Sequence, residues 1–435
     1  MEGKTSIIFR YRIMHNFEFL EFTSRFVNSF FFFGKTIFLL RILSYNVGGR
    51  IRARGGGEAM SGVYLDNSAT TRPCKAAVDK IVEVLNGNFG NPSSLHEKGF
   101  EAEKEVERAR EIIAKSLNAG SDEIFFTSGG TEANNIAIFG AVDANKRRGN
   151  KIVTTSVEHS SVYNPARELE KQGYDVVYLR PEATGRISMA QIEAAIDADT
   201  ILVSVMMVNN EVGSIFPVEK IKKVIEKHES PAVLHVDAVQ AFGKISVDVE
   251  KLRADLVTVS AHKIHGPKGV GALFKRRGVR VTPRTYGGEQ QQKVRPGTEP
   301  VALIAGFGAA VEQFDLGSQY DKVSQLNRYF RERLVDIKGI SVNSPQDAAS
   351  HIINISTNEI KSETMLHFLS ARGIFVSSGS ACAKGRQSRV LSEMGLPERR
   401  IDTALRISFS KDNTCADVDE LLRQLKIGME TLAHI

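Results

Sequence analysis

The most informative segment of this chain is Val257-Thr-Val-Ser-Ala-His-Lys-Ile-His-Gly-Pro-Lys-Gly-Val-Gly271. It joins the end of an apolar run to Ser260, His262 and Lys263 and then continues into glycines. A lysine at the mouth of a strand, flanked by small hydrogen-bonding side chains, is what an enzyme needs to hold an aldehyde cofactor as a Schiff base. Taken alone, the segment also fits an ordinary surface lysine after a strand.

Apolar segments of strand length alternate with helical patterns on both sides of this segment. The expected strands cover residues 123–127, 152–155, 176–179, 201–208, 233–236, 256–259 and 271–274. The expected helices among them cover residues 99–118, 133–144, 161–172, 189–196 and 218–227. This alternation predicts an α/β fold with a mainly parallel sheet wrapped by helices, and it places ligands at the carboxyl ends of the strands.

Polar residues follow four of the expected strands. They are Glu158-His159, Asn209-Asn-Glu211, Asp237 with Gln240, and Ser260 with His262 and Lys263. Each of them singly could be a capping or turn residue. Four strand ends that meet at one edge of a parallel sheet instead predict a binding site at that edge.

A glycine-containing turn, Ser128-Gly-Gly-Thr-Glu132, follows the first expected strand and precedes a helix. Free backbone N–H groups and the helix dipole favour an anion at such a turn, and Thr131 adds a hydroxyl. Turns of this kind also occur for purely steric reasons. The turn therefore predicts a phosphate site only where a phosphate is expected on other grounds.

The chain divides into four parts by composition and pattern. Residues 1–59 form an atypical leader, residues 60–75 an arm that packs with the small domain, residues 76–316 a large domain, and residues 317–435 a smaller α+β domain. In the small domain we expect strands near residues 352–356, 374–376 and 406–409, with helices at 321–337, 362–371 and 416–432.

The leader is rich in phenylalanine and carries nine Lys or Arg residues against four Asp or Glu residues, which accounts for most of the formal charge of +6. The rest of the chain is nearly neutral, which disfavours nucleic-acid binding. Asn28, Lys35 and Arg41 interrupt the most apolar part of the leader and argue against a membrane span. The leader is then a transit peptide, a disordered segment, or a mis-assigned start, with translation beginning at Met60.

Three cysteines, Cys74, Cys382 and Cys415, stand at no metal-ligand spacing. This argues against a disulfide framework and a zinc site, and it favours a reducing compartment such as the cytoplasm. Cys382 lies in Ser377–Ser388, where small residues predict a mobile loop, and the basic residues two and four positions later favour its thiolate. Cys74 and Cys415 are expected to be small buried hydrophobes.

A lysine at a strand end, a phosphate cradle, a carboxylate and an imidazole are together the groups that bind pyridoxal phosphate. Asp237 can supply the negative charge that the cofactor's pyridinium nitrogen needs. His159 can stack on the face of the ring. A basic residue must also hold a substrate carboxylate, and the bidentate fork of Arg406 suits that role.

The motifs that carry a family resemblance extend from about Val63 to the C-terminal part of the chain. They are Tyr64-Leu-Asp-Asn-Ser-Ala-Thr-Thr71, Gly90-Asn-Pro-Ser-Ser94, Thr127-Ser-Gly-Gly-Thr-Glu132, Glu158-His159, Asn209-Asn-Glu211, His235-Val-Asp-Ala-Val-Gln240, Ser260-Ala-His-Lys263, Arg295-Pro-Gly-Thr298 and Ser377-Ser-Gly-Ser-Ala-Cys382. In these motifs and their order the chain resembles the cysteine desulfurases of the NifS and IscS type, in the class V aminotransferase family. The resemblance implies the fold type I of pyridoxal phosphate enzymes, with a mainly parallel seven-stranded sheet in the large domain.

The resemblance also implies a role for each residue that matches a family motif. Lys263 would form the Schiff base, and Cys382 would accept the sulfur. The residues implied to bind the cofactor are Gly130, Thr131, His159, Asn210, Asp237, Gln240, Ser260, His262, Lys263 and Thr298. Those implied to bind the substrate are Asn210 and Arg406. Thr298 would reach the phosphate of a neighbouring subunit, which implies a homodimer with composite sites.

The implied activity is conversion of L-cysteine to L-alanine, with the sulfur passing to Cys382 as a persulfide and then to an acceptor protein of an iron–sulfur or tRNA-thiolation pathway. No resident metal is implied, although Cys382 could share an iron–sulfur cluster with a scaffold partner. Neither nucleic acid nor a membrane is an expected partner. The alternatives are a selenocysteine lyase, another transaminase or lyase with the same cofactor, and a sulfur-donor scaffold that is slow until an acceptor activates it.

Overall fold

The computed structural model describes residues 62–378 and 387–435. The expectations for the leader and for Cys382 therefore fall outside the described residues. Within the described ranges, no helix is long and apolar enough to cross a membrane. The same residues contain no group of His, Cys, Asp and Glu side chains that could hold a metal ion.

The strands and helices follow in chain order. The strands β1 to β12 are Val63–Tyr64, Ile124–Thr127, Lys151–Thr155, Asp175–Leu179, Thr200–Met206, Val233–Asp237, Leu256–Ser260, Gly271–Lys275, Ser341–Val342, Ile352–Ser356, Ile374–Phe375 and Ala404–Ser408. The helices α1 to α13 are Lys75–Asn86, Glu97–Leu117, Gly130–Asn145, Ser160–Lys171, Met189–Ala195, Val218–Lys227, Val249–Leu252, Val301–Val311, Leu316–Leu334, Ser362–Ser370, Arg389–Glu393, Glu398–Asp402 and Cys415–Thr431.

The central sheet has seven strands in the order β2-β8-β7-β6-β5-β3-β4. Strands β3 to β7 pair in parallel, whereas β8 runs antiparallel to both β7 and β2. Strands β5, β6 and β7 are buried along their whole length, which explains why their sequences are mainly apolar. The polar residues in their interior, Ser204, His235 and Thr258, hydrogen-bond to one another across the sheet. The predicted fold class, with its mainly parallel sheet, is confirmed.

Separate hydrophobic cores cover the two faces of this sheet. On one face, side chains of α3 and α4 pack with Phe125, Leu202 and Leu256. On the other face, α2 and α8 contribute to a larger core with Val203, Val236 and Val257. Because helices cover both faces, only the strand ends and the adjoining loops offer polar side chains to a ligand.

A second, smaller body forms around the antiparallel sheet β12-β10-β9. Its core contains side chains of α9, α10 and α13, and Leu65 of the arm lies in the same core. The arm also pairs with this body through β1, which runs parallel to β11. The boundaries predicted at residues 75/76 and 316/317 stay predictions.

Some expectations about local structure were wrong. Helix α1 and the short helices α7, α11 and α12 were not predicted, and the strand expected to reach Val208 ends at Met206. Cys74 is half-buried, but Cys415 is exposed. It is the first residue of α13, after the N-cap Thr414, and so faces solvent instead of filling a core.

Candidate active site

A cavity of about 570 Å³ opens at the carboxyl ends of the parallel strands. The register of the sheet sets Met206 beside Asp237 at the ends of β5 and β6, and β7 ends next to them at Ser260. The predicted site residues that line the cavity are Gly130, Thr131, His159, Asn210, Asp237, Gln240, Ser260, His262, Lys263 and Arg406. Thr298 does not line it and is exposed.

Lys263 lies in a short helical turn, Ala261–Lys263, directly after β7. Its Nζ donates to the carbonyl oxygens of Ser68, at 2.5 Å, and Ala69, at 2.7 Å. The arm is fixed there by its own bonds to the same turn, since the Thr71 N–H donates to the carbonyl of His262 at 2.9 Å. The arm therefore covers the reactive lysine, a contact across about 190 residues that local sequence patterns do not reveal.

Asp237, the last residue of β6, is buried. One carboxylate oxygen accepts from Asn134 Nδ2 at 2.8 Å, and the other accepts from the backbone N–H of Val239 at 3.0 Å. These bonds hold the carboxylate in place while it faces the cavity. Asn134 was missed by the sequence analysis. The signal available was a polar residue, now seen to be fully buried, just before the apolar stretch of its helix.

His159 is the N-cap of α4, and its Nδ1 accepts from the backbone N–H of Ser161 at 3.2 Å. Because a backbone N–H can only donate, Nδ1 carries no proton, and the neutral ring has its proton on Nε2. Burial lowers the pKa of His159, and the carboxylate of Asp237 opposes that shift. The imidazole is therefore neutral at pH 7, which suits a flat group that stacks on a ring and exchanges a proton.

The turn between β2 and α3 has the features of an anion cradle. Gly129 has a φ of 149°, which only glycine adopts readily, and a Cβ added to Gly130 would lie 2.9 Å from Val239 Cγ2. The buried hydroxyl of Ser260 faces the same turn and has no hydrogen-bond partner among the described residues. A helix N-terminus and an unused hydroxyl donor fit the phosphate of pyridoxal phosphate.

His262 lines the same cavity as this turn. Burial is the main cause that lowers the pKa of His262 to about 4, and the neighbouring charge of Lys263 adds to it. Its Nδ1 lies 3.3 Å from Thr70 Oγ1 of the arm. The ring is neutral at pH 7, so it can offer an N–H donor to an anion but no charge.

Arg406, in β12 of the smaller body, is fully buried and reaches the cavity wall. Its Nη2 pairs with Asp66 at 2.8 Å, and its Nη1 donates to the carbonyl of Asn210 at 3.0 Å. Its Nε has no hydrogen-bond partner within residues 62–378 and 387–435. The guanidinium thus joins arm, sheet and smaller body, and it keeps a donor for an anionic ligand.

Glu158, the neighbour of His159, is a buried carboxyl beneath the site. One of its oxygens accepts from Thr155 Oγ1 and from the Met206 N–H, each at 2.9 Å. The other oxygen has no partner among the residues that the structure describes. Burial, with a smaller contribution from Asp237, raises the pKa of Glu158 to about 8. The carboxyl is therefore protonated in the folded protein at neutral pH.

This raised pKa predicts that Glu158→Gln stabilises the protein at high pH. In the wild type, the unfolded chain ionises Glu158 near its ordinary pKa and the folded chain only near 8, so folding free energy is lost as pH rises through that window. Glutamine keeps the acceptor for Thr155 and Met206 but does not ionise. We expect the variant to gain roughly 2 to 4 kcal/mol over wild type between pH 5 and pH 8.5.

Urea denaturation of the cofactor-free protein at both pH values measures this difference. The matched control is Glu430→Gln, which removes an exposed carboxyl at the end of α13. It should follow the wild-type pH dependence. If the free energies of unfolding of Glu158→Gln and wild type differ by the same amount at both pH values, Glu158 ionises normally in the fold.

Comparison with known proteins agrees with this geometry. The sequence pattern of the family described as aminotransferase class-V matches residues 63–421. The chain is 41% identical over 371 residues to a protein named cysteine desulfurase IscS from Clostridium botulinum (strain Hall), and the match covers 83% of this chain and 93% of that protein.

Solved structures show the same likeness. One described as a NifS-like protein has a TM-score of 0.81 at 35% identity, covering 85% of this chain and 100% of that one. Another, described as SspA in complex with cysteine, has a TM-score of 0.72 at 35% identity, covering 81% and 99% of the two chains. The resemblance inferred from the motifs is confirmed, and the chain belongs to the class V aminotransferase family, among its cysteine desulfurases.

Proposed function

We propose that this protein removes the sulfur of L-cysteine with the help of pyridoxal phosphate, releases L-alanine, and leaves the sulfur on its own Cys382 as a persulfide. The observation that carries the proposal is the convergence of Lys263, Asp237 and neutral His159 on one cavity beside a glycine turn that fits a phosphate. The names of the most similar relatives, and a solved relative with cysteine, favour L-cysteine over other amino acids.

The residues of the cavity would divide the work of holding the cofactor. Thr131, Ser260 and His262, with the N–H groups of the glycine turn, would hold the phosphate. Asp237 would face the ring nitrogen, Gln240 the ring oxygen, and His159 the ring face. When bound, pyridoxal phosphate supplies an electron sink for the bonds around the substrate's α-carbon.

The substrate would be oriented from the opposite wall. Arg406 would take the carboxylate of L-cysteine through its unused donors, and Asn210 lies beside it. The amine of Lys263 lines the same cavity and would move the α-proton. His159, with its proton on Nε2, would exchange a proton with the substrate thiol.

The sulfur step balances with Cys382 as a thiolate. Its sulfur attacks the substrate sulfur, so an S–S bond forms and the bond between the β-carbon and sulfur breaks. The electron pair of the broken bond stays with the carbon fragment, which takes up protons and leaves as L-alanine. A thiolate of an acceptor protein in the cytoplasm then takes the outer sulfur of the persulfide, which breaks the S–S bond to Cys382 and restores its thiolate.

A homodimer is the proposed assembly, because Thr298 can serve a cofactor only from outside its own cavity. It is exposed on a loop that an ion pair of 3.3 Å, from Arg295 to Glu132, holds beside the cavity rim. Several large apolar side chains of residues 78–100, in α1, α2 and the segment between them, are exposed: Val78, Val82, Leu85, Phe89, Leu95 and Phe100. A partner subunit would cover such side chains. Light scattering of the holoprotein should give twice the chain mass, and a monomeric mass would contradict the dimer.

The function is tested with the full chain and its Cys382→Ala variant, each supplied with pyridoxal phosphate and L-cysteine. We expect the wild type to form alanine and a persulfide, and the variant to keep the visible cofactor band but form no persulfide. Cys415→Ala is the matched control, because it removes an exposed thiol outside the cavity. If Cys382→Ala forms alanine and persulfide as fast as the wild type, Cys382 is not the sulfur acceptor.

A further inference from the structure

The side chain of Gln240 is held at both ends. Its Nε2 donates to the carbonyl of Ser68 at 3.0 Å, and its Oε1 accepts from Lys244 Nζ at 3.3 Å. Lys244 follows four residues later in a helix-like turn, in which the Phe242 N–H donates to the carbonyl of Ala238. This turn places the lysine and the glutamine side chains one above the other.

The two contacts impose the same orientation on the Gln240 amide. An amide has one donor end and one acceptor end of nearly equal shape, so its orientation depends on its partners. A lysine ammonium only donates and a carbonyl only accepts, so Oε1 must face Lys244 and Nε2 must face Ser68. The Ser68 carbonyl also accepts from Lys263 Nζ. The donor end of Gln240 is thereby aimed at the reactive lysine and the cofactor cavity.

Lys244 lies on the wall of a second cavity of about 50 Å³, which is large enough for a few water molecules. Lys263 borders both cavities, so Lys244 stands behind the reactive lysine. The other basic side chains that line the second cavity are His265, His351 and Lys411. Water in this cavity can bind the two ammonium hydrogens that Gln240 leaves unused.

The charges around Lys244 are mostly positive. The positively charged side chains near it are Lys263, Arg406 and Lys411. The imidazoles of His262, His265 and His351 also face it, but their pKa values are lowered, so they add little charge at neutral pH. Lys244 has no carboxylate within ion-pair distance in the described parts of the chain. Two acids that contact its neighbours are engaged there, Asp412 at 3.7 Å from His265 and Asp66 on Arg406.

These surroundings make Lys244 an unusual lysine. Burial is the largest cause that lowers the pKa of Lys244 to about 7, and the charges of Lys263 and Arg406 add to it. Lys244 is half-buried, and a cation shielded from water without a partner destabilises the fold, so a lysine that only filled space would be costly here. Its one side-chain hydrogen bond in the described residues is to Gln240. That contact is therefore the best account of its position.

We propose that Lys244 is a positioning residue, which fixes the Gln240 amide with its donor toward the cofactor's ring oxygen and, in its protonated form, adds positive charge behind Lys263. The inference rests on the proposed function, since it needs pyridoxal phosphate in the main cavity. It predicts that loss of Lys244 weakens the donor at the ring oxygen and removes a repelling charge near Lys263. Both changes favour the protonated form of the cofactor–lysine linkage.

The test is a pH titration of the visible cofactor band in the full-chain holoprotein. Lys244→Met should raise the midpoint of that titration by on the order of one pH unit. Lys244→Arg, which keeps a donor and a charge, should restore most of the wild-type midpoint. Lys411→Met is the matched control, because it removes a lysine from the same cavity without touching Gln240, and it should leave the midpoint near wild type.

A double variant separates positioning from bare charge. In a Gln240→Leu background, Lys244→Met should shift the midpoint by less than half as much as it does alone. An equal shift with and without Gln240 would overturn the positioning role. If Lys244→Met does not fold, Lys244→Gln, which keeps an N–H donor without the charge, takes its place in both comparisons.

The failure of this inference and that of the proposed function give different results. A wild type that shows no visible band with pyridoxal phosphate contradicts the proposed function and this inference with it. A wild type with the band, beside a Lys244→Met variant with the same midpoint, contradicts only the role of Lys244.

Discussion

Replacement of Lys263 by alanine should lower the rate of alanine formation from L-cysteine by about 10⁴-fold or more, because the chain would lose both the proposed covalent anchor for the cofactor and the base proposed to move the α-proton. The rest of the cavity stays in place. Asp237 keeps its bonds to Asn134 and Val239, and the glycine turn does not depend on the lysine. The variant should therefore still bind pyridoxal phosphate, with a visible band that differs from that of the wild type.

Steady-state alanine formation and the absorption spectrum measure the two parts of this prediction. Lys268→Ala is the matched control, since Lys268 lines the same cavity but is exposed, and its loss should change the rate little. An added small primary amine should partly restore the Lys263→Ala rate by supplying the missing base. Turnover by Lys263→Ala at the wild-type rate would show that another group reacts with the cofactor.

The sequence was sufficient to predict the sheet, and the reason is physical. Strands buried on both faces, such as β5 and β7, must be mainly apolar, and their apolar runs end where the chain reaches the open edge of the sheet. Asp237, Ser260 and Lys263 are polar because they stand at that edge. Apolar runs that end in polar residues therefore predicted both the strand ends and the functional side chains.

Contacts between distant parts of the chain could not be predicted from such local sequence patterns. The carbonyls of Ser68 and Ala69 that receive Lys263, and the bond from Asn134 to Asp237, join segments about 100 to 190 residues apart. Lys244 left no signal, because a single lysine in a turn reads as a surface residue. Helix α1 was missed since several of its apolar side chains face outward. In the proposed homodimer, such an outward face would serve the interface and not the chain's own core.

Arg406 has a structural role beside its proposed role in substrate binding. It was singled out as a carboxylate-binding residue, but in the structure it also pairs with Asp66 and holds the Asn210 carbonyl. The side chains of Arg406 and Asp66 are 2% and 20% exposed, so the pair is largely shielded from water. Removal of one partner from such a pair leaves an uncompensated charge in the interior.

We expect Arg406→Ala to lower the free energy of unfolding by about 3 kcal/mol, because Asp66 and the Asn210 carbonyl lose their buried donor. Arg406→Lys keeps the charge but not the fork, so it should recover part of the stability while the KM for L-cysteine rises by about 10-fold or more. Urea denaturation and initial rates over a range of L-cysteine concentrations measure the two effects.

Arg423→Ala is the control for the stability effect, because it breaks an exposed ion pair of 2.8 Å with Glu420 within α13 of the same body. Its cost should stay below about 1 kcal/mol, since water and salt screen exposed pairs. If Arg406→Ala were as stable as Arg423→Ala, the pair with Asp66 would contribute little to the fold. An unchanged KM in Arg406→Lys would instead show that Arg406 does not bind the substrate carboxylate. The arm contacts both Lys263 and Arg406, and only its contact with Lys263 would then bear on the reaction.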